Sequence, residues 1–524
     1  MVWNINAPYK AESKKIVWEV APYLRGQGVD IGAGDFKILP HAISVDNGHH
    51  QQFGFQIKPD LLVRSADDLK ILGSESMDWV YSSHLLEHME KPSKALKEWW
   101  RLVKPNGYMV LYTPNDTLYP KVGEPGANPD HKHNLNADKI LGWVQEVAPH
   151  YTVVQNELRN NDDEYSDLIV FKKTMGKGHQ TLARKATGPR ALVCRFGAFG
   201  DLMQASSVFA GLKQQGYHVT LMCSPPGVDV VMHDPNIDGF MLLDKDQIPN
   251  GDLGDFWAWQ AKKYDKFINL SESVEGTLLS MPGRAQHGWP ASVRDQMLNR
   301  NYLEFQHEIA GVPHNPQVRF YATAEEKAWA KKERQKLGQG PVILWSLAGS
   351  SVHKTWPYMD NIIASVLVTH PTAKVVLVGG PECKILEAGW ENEFRVKKTC
   401  GEWNIRDSLA FIDECDLIIG PETGVLNAAA CLDVTKIVFL SHSTWINLTR
   451  DWKNCHVMYS AVTACKLRGA NPAQVLACHA MHYSWDHCQK HEESGTAQCQ
   501  ADITAEEVWG VVEAWLRNYD KKVA

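Results

Sequence analysis

At 524 residues, with 44% hydrophobic and 22% charged side chains, the chain has a globular balance but is too long for one core; ~150 residues per domain predicts about three domains. The net charge of -7 gives no general attraction to nucleic-acid phosphates or anionic lipid, leaving only a local basic patch for such partners. No apolar run approaches the ~20 residues of a membrane span, and the opening MVWNINAPYKAESKK lacks a signal-peptide core, which predicts a soluble cytoplasmic protein with no integral membrane segment.

Eleven cysteines are unevenly spread, with none before Cys194 and a crowd from Cys455 to Cys499. An odd number without a secretion signal predicts no disulfide framework. Composition says nothing of oligomeric state.

The first domain is predicted over residues 1–173. After a short N-terminal helix candidate, GVDIGAGDFKILPHAISVDNG (Gly28 to Gly48) reads as a strand ending at Asp30, a Gly32-Ala33-Gly34 loop, and a second strand ending at Asp46. Glycines there let the backbone approach a ligand, and an acid closing the second strand can accept hydrogen bonds from ribose hydroxyls. A nicotinamide-binding unit would share this layout, but the third glycine of that fingerprint is missing and the acid arrives early. From Ser76 to Asn115 the sequence reads SMDWVYSSHLLEHMEKPSKALKEWWRLVKPNGYMVLYTPN. It predicts a strand, an exposed loop with Glu87-His88, an amphipathic helix bearing Leu96, Trp99, Trp100 and Leu102, a Lys-Pro-Asn-Gly turn, and another strand.

In that order these motifs resemble the class I S-adenosylmethionine-dependent methyltransferases, well over roughly the first 115 residues and weakly to Lys173. The resemblance implies that Gly32 and Gly34 line the methionine part of the cofactor with Asp30 close by. It also implies that Asp46 holds the ribose hydroxyls and that Ala66-Asp67 lies near the adenine. His131 and His133 of DHKHNL fall where such enzymes meet their acceptor, and His133 is the candidate to orient or deprotonate a hydroxyl. A solvated His-rich loop is the alternative there, and His84 and His88 are as well explained by packing at the strand end.

Residues 174–190, within the basic, Gly- and Thr-rich KKTMGKGHQTLARKATGPR, read as an interdomain linker. A fresh strand–helix–strand pattern then opens the region 191–322: Ala191–Phe196, the turn Gly197-Ala198-Phe199-Gly200-Asp201, a helix with Leu202, Val208 and Leu212, and a strand to Cys223. KFINL (Lys266 to Leu270) continues it, and GRAQHGWPASVRDQMLNRNY reads as a loop and helix facing the acceptor. A charged helix, Ala324 to Lys336, leads into the region 323–524.

There PVILWSLAGSSVHKTWP (Pro341 to Pro357) places a doubly buried strand before a small-residue loop, Lys354, and a Trp-Pro suited to a helix start. Free backbone N–H groups, the helix end and Lys354 would seat a diphosphate. KVVLVGG adds a strand, and DLIIGPETGVLNAAACLDVTKIVFL adds a strand, a Pro-Glu-Thr-Gly turn, a small-residue helix and a further strand. The alternation predicts two open parallel sheets with ligands at their carboxyl ends.

Lys354-Thr355-Trp356-Pro357, Glu422-Thr423-Gly424, and Arg195 through Gly200-Asp201 together resemble the heptosyltransferase family of GT-B glycosyltransferases. Glu422 stands for the family's Asp, and Asn427 stands where a His is usual. The resemblance implies that Asp201 is the general base, an N-terminal helix cap being its plain alternative. It implies donor contacts from Gly197, Gly200, Ser350, Ser351, Lys354, Glu422, Thr423 and Gly424, with no metal.

The tail holds Cys478, His479, His482, His487, Cys488, His491 and Cys499 but no Cys-x-x-Cys pair, so packing and surface roles are preferred and no metal ligand is assigned. ITAEEVWGVVEAWLRN presents Val508, Val511, Val512, Trp515 and Leu516 on one helical face. The expectation is therefore an α/β chain: an N-terminal Rossmann-like methyltransferase domain plus a GT-B pair of Rossmann-like domains. Its cofactor would be S-adenosylmethionine and its donor a nucleotide-diphosphate sugar, ADP-heptose-like, with a glycan or lipopolysaccharide-type acceptor. A GT-B half that binds without turnover is the second reading. Modification of a nucleic-acid base is a third, weakened by the acidic charge.

Overall fold

The structure is a computed structural model that describes residues 11–48, 58–160, 163–174, 178–181, 184, 186, 188–243, 248, 253–272, 290, 293, 300–349, 354–441, 443–460 and 489–523. The chain divides into two compact units, Met1–Gly188 with Thr220–Pro225 and Ile237–Gln247, and Pro189–Val219 with Pro226–Asn236 and Ile248–Ala524.

In the first unit, strands β1 (Gly28–Ile31), β2 (Ile43–Asp46), β3 (Leu61–Leu62), β4 (Met77–Ser83), β5 (Val103–Pro114), β6 (His150–Arg159), β7 (Ser166–Lys173) and β8 (Gly178–Thr181) build one sheet. Its order is β3-β2-β1-β4-β5-β7-β6-β8. Strands β3 through β5 run parallel, and β7 runs antiparallel to both its neighbours. Val29, Ile31, Val80, Tyr81, Val110 and Leu111 are buried, the continuous apolar pattern of a sheet covered on both faces. The helix Pro92–Leu102 opens on a proline, whose missing N–H costs nothing there, and sinks Leu96, Trp99, Trp100 and Leu102 into this core. Strand β8 lies inside the stretch read as linker; its backbone pairs in parallel with β6, satisfying groups that an edge strand would leave open. Order reverses between β1 and β4, so a crevice opens beyond their carboxyl ends.

A four-stranded sheet follows in sequence, from β9 (Arg190–Cys194), β10 (His218–Cys223), β11 (Gly239–Leu242) and β12 (Lys266–Asn269), in the order β11-β10-β9-β12, with β10 parallel to β11 and β12 parallel to β9. The third sheet contains β13 (Val342–Ser346), β14 (Lys374–Val378), β15 (Val396–Lys398), β16 (Leu417–Pro421), β17 (Thr435–Phe439) and β18 (Cys455–Met458). It is parallel throughout, in the order β15-β14-β13-β16-β17-β18, so its switch point falls between β13 and β16.

Trp356 is a core anchor of this sheet. Its ring stacks on Phe439 with centroids 4.7 Å apart, and its Nε1–H donates to the Ile503 carbonyl at 2.8 Å. Pro357 occupies a turn, and the following helix spans Met359–Thr369. The closing helix Ala505–Val523 adds Val508, Val512 and Leu516 to the same core. The charged helix Ala324–Leu337 starts with a reciprocal Thr323/Glu326 cap and ties to Arg406 through Glu326. No helix among the described residues is long and apolar enough to cross a membrane.

Candidate functional site

The crevice beyond β1 and β4 is a cavity of about 730 Å³, lined by Gly32, Gly34, Asp46, Ala66, Glu87, His88 and His131 among others. Gly32 and Gly34 both have positive φ, 76° and 58°, a backbone that side chains other than glycine rarely adopt. A Cβ at Gly32 would strike Leu85 at 2.8 Å. Asp46 is held at the rim by N–H groups of Gly34 (3.2 Å) and Gly48 (3.0 Å). Asp30 is buried beneath the loop, where it accepts the Ile38 N–H at 2.7 Å, and burial pushes its carboxyl up to about 7. Trp99 Nε1–H donates to the Ala66 carbonyl at 2.9 Å, so the buried helix sets the position of that wall. Asp67 is turned to Ser65 and Lys94, whose contacts hold its carboxyl below the usual range, and it does not line the cavity.

The opposite wall departs from the sequence expectation. The Glu87-His88 loop, expected to be exposed, is a short 3₁₀ turn (Leu86–His88) that buries Glu87 completely. Among the described residues neither Glu87 oxygen finds a hydrogen-bond partner in another residue, and burial pushes the carboxyl up to about 8. His131 Nε2 lies 3.7 Å from Glu87 Oε1, and His88 Nε2 and His84 Nδ1 each lie 3.9 Å from it. Burial pushes the His131 imidazole down to about 4 and His84 to about 3, and it lowers His88, so these rings are neutral at pH 7. His84 Nε2 lies 2.9 Å from Ser166 Oγ, the β7 partner that packing alone requires. His133 is placed differently: its Nε2 lies 2.9 Å from the Met89 carbonyl, its ring sits edge-on to Trp143, and it is not part of the cavity lining.

In the second unit the turn after β9 carries Asp201 into the first turn of the helix Phe199–Gln214. Its Oδ2 accepts the Ala198 N–H at 2.8 Å, and its Oδ1 lies 2.9 Å from Nη2 of buried Arg195. Gly197 has φ 132°, and a Cβ there would meet Asp201 Oδ2 at 2.4 Å. The small-residue helix Gly424–Ala429 packs on this turn: a Cβ on Gly424 would meet the Phe199 Cβ at 2.8 Å, and one on Gly200 would meet Asn427 Nδ2 at 2.9 Å. Asn427 is buried, donates to the Thr423 carbonyl at 2.9 Å and accepts from Gln204 Nε2 at 3.0 Å. Thr423 caps its helix through Leu426 N–H and receives the Ser346 hydroxyl at 2.9 Å across the β13/β16 switch point. Lys354 Nζ donates to the Glu422 carbonyl at 3.1 Å. The Glu422 carboxylate itself points into protein and accepts from the backbone and hydroxyl groups of Ser441 and Ser443. Ser350, Ser351 and most of residues 283–302 lie outside the described residues.

A methyltransferase-domain family model matches residues 29–111, and the glycosyltransferase family 9 (heptosyltransferase) model matches residues 258–468. The chain joins a methyltransferase domain to a heptosyltransferase-family domain. No curated relative matches the chain. Among solved structures, it is similar to a glycosyl transferase family 9 protein from Veillonella parvula (14% identity, 64% of this chain and 99% of that chain, TM-score 0.45). It is also similar to E. coli ADP-heptose lps heptosyltransferase II (15%, 63% and 99%, TM-score 0.43) and to a SAM-dependent methyltransferase from Archaeoglobus fulgidus (17%, 32% and 96%, TM-score 0.24).

In the methyltransferase domain the structure gathers Gly32, Gly34 and Asp46 at one cavity and sets Asp30, Asp67 and His133 behind or beside it. In the heptosyltransferase-family domain it joins the Gly200-Asp201 turn to Thr423-Gly424 and, through the Glu422 carbonyl, to Lys354. Sequence reasoning gave no role to Glu87 or Gln204. The His-x-x-Glu-His spacing was the available signal for Glu87, but its burial depends on strands distant in sequence. Gln204 sits amid apolar residues of its helix and becomes legible only beside Asn427.

Proposed function

We propose that the chain is a bifunctional glycan-modifying enzyme: its first unit transfers a methyl group from S-adenosylmethionine, and its second makes an inverting transfer from a nucleotide-diphosphate sugar, ADP-heptose-like, to a glycan or lipopolysaccharide-type acceptor. The supporting observation is that each family match overlies parallel strands whose order reverses once, between β1 and β4 in the first unit and between β13 and β16 in the second.

The first cavity has a volume within the range of small-molecule cofactor pockets, and its wall is open backbone at Gly34, where a Cβ would have nothing within 4 Å. When bound, S-adenosylmethionine supplies a methyl group activated on a sulfonium. Gly32 and Gly34 leave room for its methionine part, and Asp46 accepts from ribose hydroxyls. Asp30 holds the loop from below through Ile38 N–H. Glu87, His88 and His131 wall the remaining space, where the acceptor is aligned with the methyl group, and alignment supplies most of the rate.

In the second unit Asp201 takes the proton of the acceptor hydroxyl as the oxygen attacks the anomeric carbon opposite the diphosphate, which inverts configuration. Arg195 keeps the carboxylate oriented. Lys354, with Ser350 and Ser351, stabilises charge on the leaving diphosphate, and Thr423 with Gly424 contacts the nucleotide. Asp201→Asn should lower nucleotide-diphosphate release from a panel of nucleotide sugars and glycans at least ~100-fold while S-adenosylhomocysteine affinity stays unchanged. Undiminished release would reduce Asp201 to a helix cap.

One set of contacts favours the second reading, a binding module that presents a glycan for methylation. The side chains of Asp201, Glu422 and Asn427 are all engaged by protein groups. That reading predicts sugar-nucleotide binding with no diphosphate release from the unsubstituted chain.

A further inference from the structure

We propose that Glu87, His88 and His131 form a binding site for a divalent transition cation, Zn²⁺ or Mn²⁺, in the wall of the first cavity. One ligand atom from each lies within 4.8 Å of the others. Glu87 is 0% exposed, and among the described residues its carboxylate oxygens have no hydrogen-bond partner from another residue. A carboxyl buried without a hydrogen-bond partner is a costly arrangement, and a cation between it and the imidazoles would supply the missing partner. Lys132, the lysine in the cavity lining, is paired with Glu90.

The surroundings orient these side chains as ligands. His88 Nδ1 lies 3.1 Å from the Asp130 carbonyl, which makes that nitrogen the donor and leaves the Nε2 lone pair facing Glu87. The Glu87 carbonyl accepts from the N–H groups of Lys132 (2.9 Å) and His133 (3.2 Å), so the backbone after His131 is fastened to the Glu87 turn. His133, bonded to the Met89 carbonyl, is a second fastener. The 3.7 and 3.9 Å gaps are too long for hydrogen bonds but close to the separation of about 3.4 Å that ligands at ~2.0–2.1 Å from a tetrahedral ion would have.

Two imidazoles and one carboxylate suit zinc or manganese rather than the all-oxygen shells of calcium or magnesium. With only these three protein ligands the ion would keep open positions, the pattern of a catalytic rather than a structural site. Those positions would take an oxygen of the methyl acceptor; this last step rests on the methyl-transfer reading, whereas metal binding does not.

The test uses the full chain with Cys478, Cys488 and Cys499 replaced by Ser, which removes thiolates of the tail as competitors. After chelator treatment it is titrated calorimetrically with ZnCl₂, and separately with CoCl₂ followed by absorption. We expect one ion per chain, a cobalt spectrum without thiolate charge transfer, and at least ~tenfold weaker binding in Glu87→Gln and His131→Ala. S-adenosylhomocysteine affinity, measured in the same preparations, reports separately on the cofactor pocket. No bound ion, or unchanged affinity in both variants, overturns the site. Zinc binding without S-adenosylhomocysteine binding keeps the site and removes the methyl-transfer reading. If Glu87→Gln does not fold, His88→Asn takes its place; if no variant folds, the cobalt spectrum decides, and thiolate bands would overturn the site.

Discussion

Asp30 shows how a single buried group couples the glycine loop after β1 to pH. Its folded pKa of about 7 stands above the ordinary carboxylate value of 3.8, so the native state holds the proton more tightly than the unfolded chain does. A raised carboxylate weakens the fold where it must ionise: its penalty is absent below about 3.8, grows as pH rises, and is complete above about 7. Between those limits stability falls as pH rises. Asp30→Asn, which keeps an oxygen for the Ile38 N–H, should flatten that part of the profile in denaturant unfolding followed from pH 5 to 8. Equal slopes in both proteins would show that Asp30 does not carry the dependence. Residue chemistry was legible where the backbone forces it. Gly32 and Gly34 stand out in the sequence because a positive φ at each demands glycine. Glu87 did not stand out, since nothing local distinguishes a solvated carboxylate from one that long-range packing buries.

At the scale of elements, the two glycine-bearing turns of the second unit meet helix to helix, and the Gln204–Asn427 amide pair joins them. Asn427→Ala should strand the Gln204 amide in a buried setting and cost roughly 1–3 kcal/mol in denaturant unfolding. A loss below a few tenths would mean that the pair is not formed in solution. Trp356→Ala should cost more, about 3–5 kcal/mol, because it removes a stacked core ring and its bond to Ile503. A loss under ~1 kcal/mol would show that Trp356 does not anchor the core. The apolar strands were readable because a sheet covered on both faces needs unbroken Val, Ile and Leu, as in β13 and β14. The edge strand β8 was not, because His-Gln-Thr has no apolar pattern and its pairing is made by backbone alone. Likewise the Trp-Pro pair reads as a helix start, whereas Pro357 sits in a turn and the helix opens at Met359; the stacking that fixes Trp356 comes from Phe439 and could not be read locally.

At the scale of the whole molecule, two family matches lie along one chain, each over parallel strands with a switch point of their own. The order of motifs along the chain was enough to anticipate that pairing, since each motif is local. What each pocket turns over depends on donors and acceptors whose contacts come from many loops, and those contacts leave no local signature. The most direct measurement is calorimetric titration of one full-length preparation with S-adenosylhomocysteine and then with a nucleoside diphosphate such as ADP, followed by the reverse order. The account predicts one site for each ligand, with each affinity the same whichever ligand is added first. If the two ligands competed for a single site, or if either found none, the account would be contradicted.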